Sequence, residues 1–267
     1  NQLLYRIRED NVTAIGAQLS YYLVLSIFPF IIFFLNILSY TPIAREDVLH
    51  NIIIIMPMDL QRIVSSLLIE TINTSNAPLL SLSAITGIWA ASKGIMALIR
   101  VLNKAYDVEE TRSYLELRFI AIIFTLSLLA LLTIVLLTLV FGEVLGSKLF
   151  DFLGIAQNFI LFWQYFRVII SLFFMILIFT LMYKYIPAIE NGNKINLNHA
   201  IPGAIFTTLG WIITSSIFSY YVNNFGNYGK TYGSLGGIVV LLIWLYLSSI
   251  IIILGGEINA TLRAINS

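Results

Sequence analysis

Hydrophobic residues along this chain gather into six long runs, separated by stretches in which charge, Gly and Pro return. The last run is the cleanest, with twenty uncharged residues from Gly237 to Gly256. As a helix rising about 1.5 Å per residue, it covers roughly 30 Å, the hydrocarbon thickness of a bilayer. By the same reasoning the spans fall near 12–40, 78–101, 119–142, 159–183, 200–221 and 236–257. The fold class expected is therefore an all-α integral membrane protein, a bundle of six transmembrane helices forming a single membrane domain over 1–267. Between spans 1 and 2, segment 41–77 alternates apolar and polar residues, but Pro57 and its charges stop it from crossing, so it predicts two short interfacial helices.

Local signals refine the spans. Asn11 fits an N-cap before the first, and Pro29 inside it removes a backbone hydrogen bond and predicts a kink that frees the Leu25 carbonyl. Pro202 is expected in the first turn of the fifth span, where proline is tolerated. At about 100° per residue, Gly233, Gly237, Trp244, Ser248, Gly255 and Asn259 share one sector of the sixth span, and Leu242, Tyr246, Ile253 and Glu257 another. The small, polar sector predicts close packing, as do Gly203, Thr207, Gly210 and Thr214 in the fifth span. The nearly all-aliphatic third span is the one expected to face lipid.

Hydrophobic residues are 59% and charged residues 11% of the chain, against a soluble norm of roughly 45–50% and 25%, which leaves no segment polar enough for a separate soluble domain. With no cysteine and two histidines, thiol chemistry and the common zinc sites are excluded, and nothing calls for a cofactor. A net charge of +1 offers no field for nucleic acid. Nine basic residues (Arg6, Arg8, Arg100, Lys104, Arg112, Arg118, Lys184, Lys194 and Arg263) fall on one side of the six-span arrangement, and four (Arg45, Arg62, Lys148 and Lys230) on the other. The excess predicts both termini in the cytoplasm. The one tight acidic group, Asp107, Glu109 and Glu110, lies among basic residues and reads as a solvated loop rather than a metal site.

The candidate chemistry is ionisable groups inside spans, each costly unless it pairs, snorkels or meets water. Lys93 precedes Arg100 by seven residues and Glu257 precedes Arg263 by six, so the two groups are expected at similar depth and able to meet if their helices are neighbours. The competing reading is that Lys93 snorkels and Glu257 is interfacial.

Four stretches carry a resemblance: AIGAQLSYYLVLSIFPF at 14–30, WAASKGIMALIRVLNKAYDV at 89–108, YKYIPA at 183–188 with PGA at 202–204, and YGSLGGIVVLLIWLYLSSIIIILGGEINA at 232–260. Together they resemble the YihY/BrkB family of bacterial inner-membrane proteins. The resemblance implies a multi-pass protein of the cytoplasmic membrane. It also implies a basic residue at position 93, usually Arg, which here is Lys without the bidentate fork. The family's older label, ribonuclease BN, is regarded as a misassignment, and the family has been linked to serum resistance and to lipid movement.

Three functional readings follow. In the first, spans 1, 2, 5 and 6 enclose a cavity in which Tyr21, Tyr22, Ser26, Lys93, Thr207, Trp211 and Glu257 contact a translocated lipid or other amphiphile, with Pro29, Gly203, Gly210, Gly233 and Gly237 shaping the helices. The lipid substrate rests on the resemblance together with the cavity argument. The second is a membrane scaffold or accessory protein that docks a protein partner, or another copy of itself, on its small-residue faces. The third is an ion or small-solute transporter with a hydrated pore. Membrane lipids are the partner common to all three, and ribonuclease or other enzymatic activity has no residue pattern to support it.

Overall fold

The computed structural model describes residues 9, 11–39, 77–135, 158–189, 195–225 and 236–266. They form six helices with no strand among them: α1 Val12–Ser39, α2 Ala77–Ala105, α3 Tyr114–Val135, α4 Asn158–Tyr185, α5 Leu197–Phe225 and α6 Gly236–Asn266. Five of these, α2 to α6, are long and apolar enough to cross a membrane, and α1 contributes the apolar stretch Val12–Leu25. The all-helical membrane architecture predicted from hydrophobic periodicity is thus the observed one. Segment 41–77 is described only at Ala77, so the two interfacial helices expected there lie outside the described residues.

Several helices run past the ends of their apolar runs because capping chemistry carries them further. α2 continues to Ala105 and closes with Asp107 in the left-handed conformation at φ 53°. The Val108 amide donates to the Asn103 carbonyl at 2.9 Å and the Asp107 amide to Lys104 at 3.0 Å, the two bonds of a Schellman ending built on Asp instead of Gly. α3 starts at Tyr114, five residues earlier than the apolar run. A capping box explains the early start: the Ser113 amide donates to Glu116 Oε2 at 2.8 Å, and the Glu116 amide to Ser113 Oγ at 3.4 Å. Arg118, expected in the preceding connection, is consequently a buried helical residue. Asn11 adopts φ 48° before α1, a left-handed turn rather than the extended geometry of an N-cap.

The chain forms two compact units: residues 1–12, 98–212 and 251–267 in one, and 13–97 and 213–250 in the other. The division falls inside helices rather than at a polar linker, so the hydrophobic pattern carries no mark of it.

The first unit has the end of α2 at its centre, with Leu98, Ile99, Val101, Leu102 and Ala105 all buried. Buried residues also come from α4 (Met175, Phe179, Met182, Tyr183), α5 (Ala200, Ala204, Thr207, Thr208) and α6 (Ile253, Glu257, Asn259, Ala260). α3 packs along α4. Each of these two helices has one exposed apolar stripe at helical spacing, Phe119, Ile123 and Leu126 on α3 and Tyr165, Ile169 and Phe173 on α4. In the second unit, Gly16 of α1 lies against Tyr246 and Ile250 of α6, and Gly94 of α2 against Leu19 and Tyr22 of α1. There Trp244 Nε1 donates to Ser215 Oγ at 3.1 Å.

Candidate functional site

Among the described residues the densest polar arrangement inside the spans is a buried seam in the first unit, where α4, α5 and α6 meet the end of α2. It begins with a defect. Pro202 is the sixth residue of α5, not in its first turn as expected, and its missing N–H interrupts the helical ladder. Asn259 of α6 bonds the backbone on either side of the interruption: its Oδ1 accepts from the Gly203 amide at 2.7 Å and its Nδ2 donates to the Ala200 carbonyl at 2.9 Å. Proline inside a spanning helix is tolerable when a neighbouring helix supplies such bonds.

Close approach makes this reach possible. A Cβ on Gly203 would strike the Gly255 carbonyl and the Asn259 side chain, and one on Gly255 would strike Thr207 Oγ1, the Tyr183 hydroxyl and the Gly203 carbonyl. On the neighbouring face of α6, a Cβ on Gly256 would run into Leu102 of α2. The adjacent glycines thus bring α6 against α2, α4 and α5 at once and leave its carbonyls open to a second donor. The Tyr183 hydroxyl donates to the Ile252 carbonyl at 2.6 Å. With that proton committed, Thr207 donates to the Tyr183 oxygen at 2.6 Å.

Next along α6 is Glu257, 0% exposed, with both carboxyl oxygens buried. It shares the surroundings of Tyr106, just past the end of α2. Burial lifts the Tyr106 phenol above its usual range, the positive charge of Arg263 draws it down, and the negative charge of Glu257 pushes it up again. The Arg263 guanidinium lies 5.9 Å from the Tyr106 ring centre.

A second network ties the ends of the helices together. Asn103 Nδ2 donates to Glu110 Oε2 at 2.6 Å, while its Oδ1 accepts from the Ala188 amide at 2.8 Å. Arg112 grips both oxygens of Glu110 at 2.7 Å and donates through Nη2 to the Ile186 carbonyl at 2.8 Å. Burial alone would raise the Glu110 carboxyl, but the bonds from Arg112 and Asn103 outweigh it and hold the group below its ordinary value. The acidic loop read as merely solvated is therefore partly structural: Asp107 ends a helix and Glu110 anchors two connections. Among the described residues no group of three or more His, Asp or Glu could hold a metal ion.

The residues singled out from sequence are distributed unevenly over this arrangement. Thr207 and Glu257 are both fully buried in the first unit, where Trp211 is half-buried. Lys93 is exposed on the part of α2 that belongs to the second unit, with Tyr21, 57% exposed, ring-stacked edge-on against Tyr22 at 5.5 Å. Gly203 and Gly210 are at helix contacts, Gly210 facing Ile251, whereas Gly237 is half-buried. Gly233 and the side chains of Ser26 and Pro29 lie outside the described residues. Sequence reasoning missed Tyr183, Tyr106 and the Asn103–Glu110–Arg112 network. The signal for Tyr183 was its place as a polar aromatic residue at a span end.

The family model described as Virulence factor BrkB matches residues 3–266. The protein YfkH of Bacillus subtilis (strain 168), whose name describes it as ribonuclease-like, is 43% identical over 248 residues, 93% of this chain and 89% of its own. A UPF0761 membrane protein of Vibrio parahaemolyticus is 26% identical over 97% of this chain and 80% of its own, and one of Tolumonas auensis is 40% identical over 82 residues, 31% of this chain and 26% of its own. No solved structure matches. With the match running almost from end to end, the chain belongs to the BrkB family of membrane proteins.

Proposed function

We propose that the protein moves a lipid or similar amphiphile within or across the cytoplasmic membrane, with both termini on the cytoplasmic side. The observation that carries this reading is Glu257, a wholly buried carboxylate in a helix apolar enough to span. An ionisable group at such a place is costly and points to a functional site by default. Hydroxyls and the Asn259 amide line the same seam, while exposed aliphatic and aromatic stripes on α3 and α4 offer the surroundings acyl chains prefer. The orientation is supported by the nine-to-four distribution of basic residues about the spans. We further propose that the protein is not a nuclease, whatever the name of its B. subtilis relative describes.

The test is reconstitution into vesicles containing a fluorescent phospholipid whose leaflet exposure is read by a membrane-impermeant quencher. Protein-containing vesicles are expected to equilibrate the probe faster than empty ones, and Glu257→Gln to lose most of that gain. Leakage of ions or small solutes without lipid movement would favour a hydrated pore, and neither activity would favour an accessory protein. Because the chain has no cysteine, single cysteines at Asp59 and Glu109 report orientation directly, the first labelled from outside and the second from inside.

A further inference from the structure

Beside the Asn103–Glu110–Arg112 network, the first unit has a pocket of about 270 Å³, lined by Thr111, Arg112, Lys184, Pro187, Ile189 and Ile195 among others. Its location follows from the sequence. Lys184 and Tyr185 end the span Tyr165–Tyr185, and Tyr185, 55% exposed, is the kind of residue that marks the headgroup level. The pocket therefore opens where a spanning helix gives way to a connection.

Among the described residues two cations line this space, held in different ways. Arg112 is fixed at three points, since both Glu110 oxygens and the Ile186 carbonyl take its Nε and Nη2 protons. Among the described residues, Nη1 donates to none of the hydrogen-bond acceptors, so one edge of a rigid guanidinium is left for a ligand. The Lys184 ammonium rests 5.1 Å from the Tyr185 ring centre, an attraction that positions it while leaving its three donors to other partners. Glu110 balances one of the two positive charges. The one left over among the described residues, with the Thr111 hydroxyl, suits an anion with several acceptor oxygens. Pro187, Ile189 and Ile195 form an apolar wall, which a bare hydrated anion does not need and the carbon side of an ester does. The volume is slightly below the roughly 300–1,000 Å³ of drug-sized sites, so it accommodates a headgroup and not a whole lipid.

We propose that this pocket binds a phosphate ester at the membrane surface through Lys184, Arg112 and Thr111. The proposal goes beyond the transport reading and is read by binding alone, so either can fail while the other stands. The experiment titrates full-length protein in neutral detergent with phosphatidylglycerol, with phosphatidylcholine and with inorganic phosphate, following bound ligand by native mass spectrometry and unfolding temperature. Phosphatidylglycerol is expected to bind, and Lys184→Gln to weaken it about tenfold, the size of one charge-assisted hydrogen bond. Lys184→Arg should retain binding. Ile189→Trp leaves every charge in place but fills the pocket. Its loss of binding would separate an occupied pocket from general attraction between a basic surface and an anionic lipid, and it carries the test alone if Lys184→Gln does not fold. Binding of phosphatidylglycerol only would identify a lipid headgroup as the source, and equal sensitivity of inorganic phosphate to both variants would show that free phosphate suffices. Binding that is absent, or indifferent to filling the pocket, would overturn the proposal.

Discussion

α3 and the later part of α6 belong to the same compact unit and are both apolar enough to span, yet they use their surfaces in opposite ways. α3 has a buried stripe containing Ala121, Phe124, Thr125 and Leu131 and an exposed one of Phe119, Ile123 and Leu126. From Ile253 to Ala260, α6 is buried on both sectors of its wheel: Ile253 and Glu257 on one, Gly255 and Asn259 on the other, are all inside. The difference lies in side-chain size. Bulky aliphatic residues hold neighbours at ordinary distance and are content in lipid, whereas Gly255 lets α4 and α5 approach until the Ile252 carbonyl accepts from the Tyr183 hydroxyl, and Gly256 lets Leu102 of α2 close in. Apolar character alone therefore does not distinguish a lipid-facing helix from a central one.

Substitutions should separate the two helices by the size of their effects. Gly255→Val puts carbon where the Thr207 and Tyr183 hydroxyls and the Gly203 carbonyl already lie, and no flexible side-chain end can yield. It is expected to cost at least the upper part of the roughly 1–3 kcal/mol range for overpacking, seen as loss of monodisperse protein in detergent. Asn259→Ala comes next. It removes the bonds to the Gly203 amide and the Ala200 carbonyl beside Pro202, a loss of about 1–3 kcal/mol measurable as a lower unfolding temperature, and Asn259→Asp should recover only the amide bond.

Glu110 gives a smaller, pH-dependent effect. Its folded carboxyl is held below the ordinary value, so the stability it contributes is present above the unfolded carboxyl's range and is lost as pH falls through the depressed folded value. The wild type should lose unfolding temperature on acidification more steeply than Glu110→Gln, whose network has no carboxylate to protonate; parallel curves would refute the assignment. The smallest change is expected at Leu126→Ala on the exposed stripe of α3, within about 0.5 kcal/mol. A large loss there would mean that the stripe is covered in the working protein.

How much was legible beforehand varies with the range of the interaction responsible. The six runs, the small-residue sector of α6 and the special standing of Glu257 came from local periodicity and the cost of charge in hydrocarbon, which residues carry wherever they sit. The capping box at Ser113 and Glu116 was readable too, since its spacing is a local signature, although the charges around it read as a loop. The role of Asn259 could not be foreseen, because it depends on Pro202, fifty-seven residues away, being brought alongside. The same holds for Ala188 on Asn103 and for Arg112 on the Ile186 carbonyl.

By itself, then, the sequence determined that this protein is helical and lives in a membrane, because twenty uncharged residues must satisfy their own backbone bonds once water is gone. It also determined which helix surfaces are small enough to meet. Only the tertiary structure decided which of those surfaces meet, that Glu257 is enclosed on every side, and that Arg112 and Lys184 flank a single pocket. Such outcomes depend on the contact geometry of segments far apart in the chain, and hydrophobic periodicity says only that a face is buried, not against what.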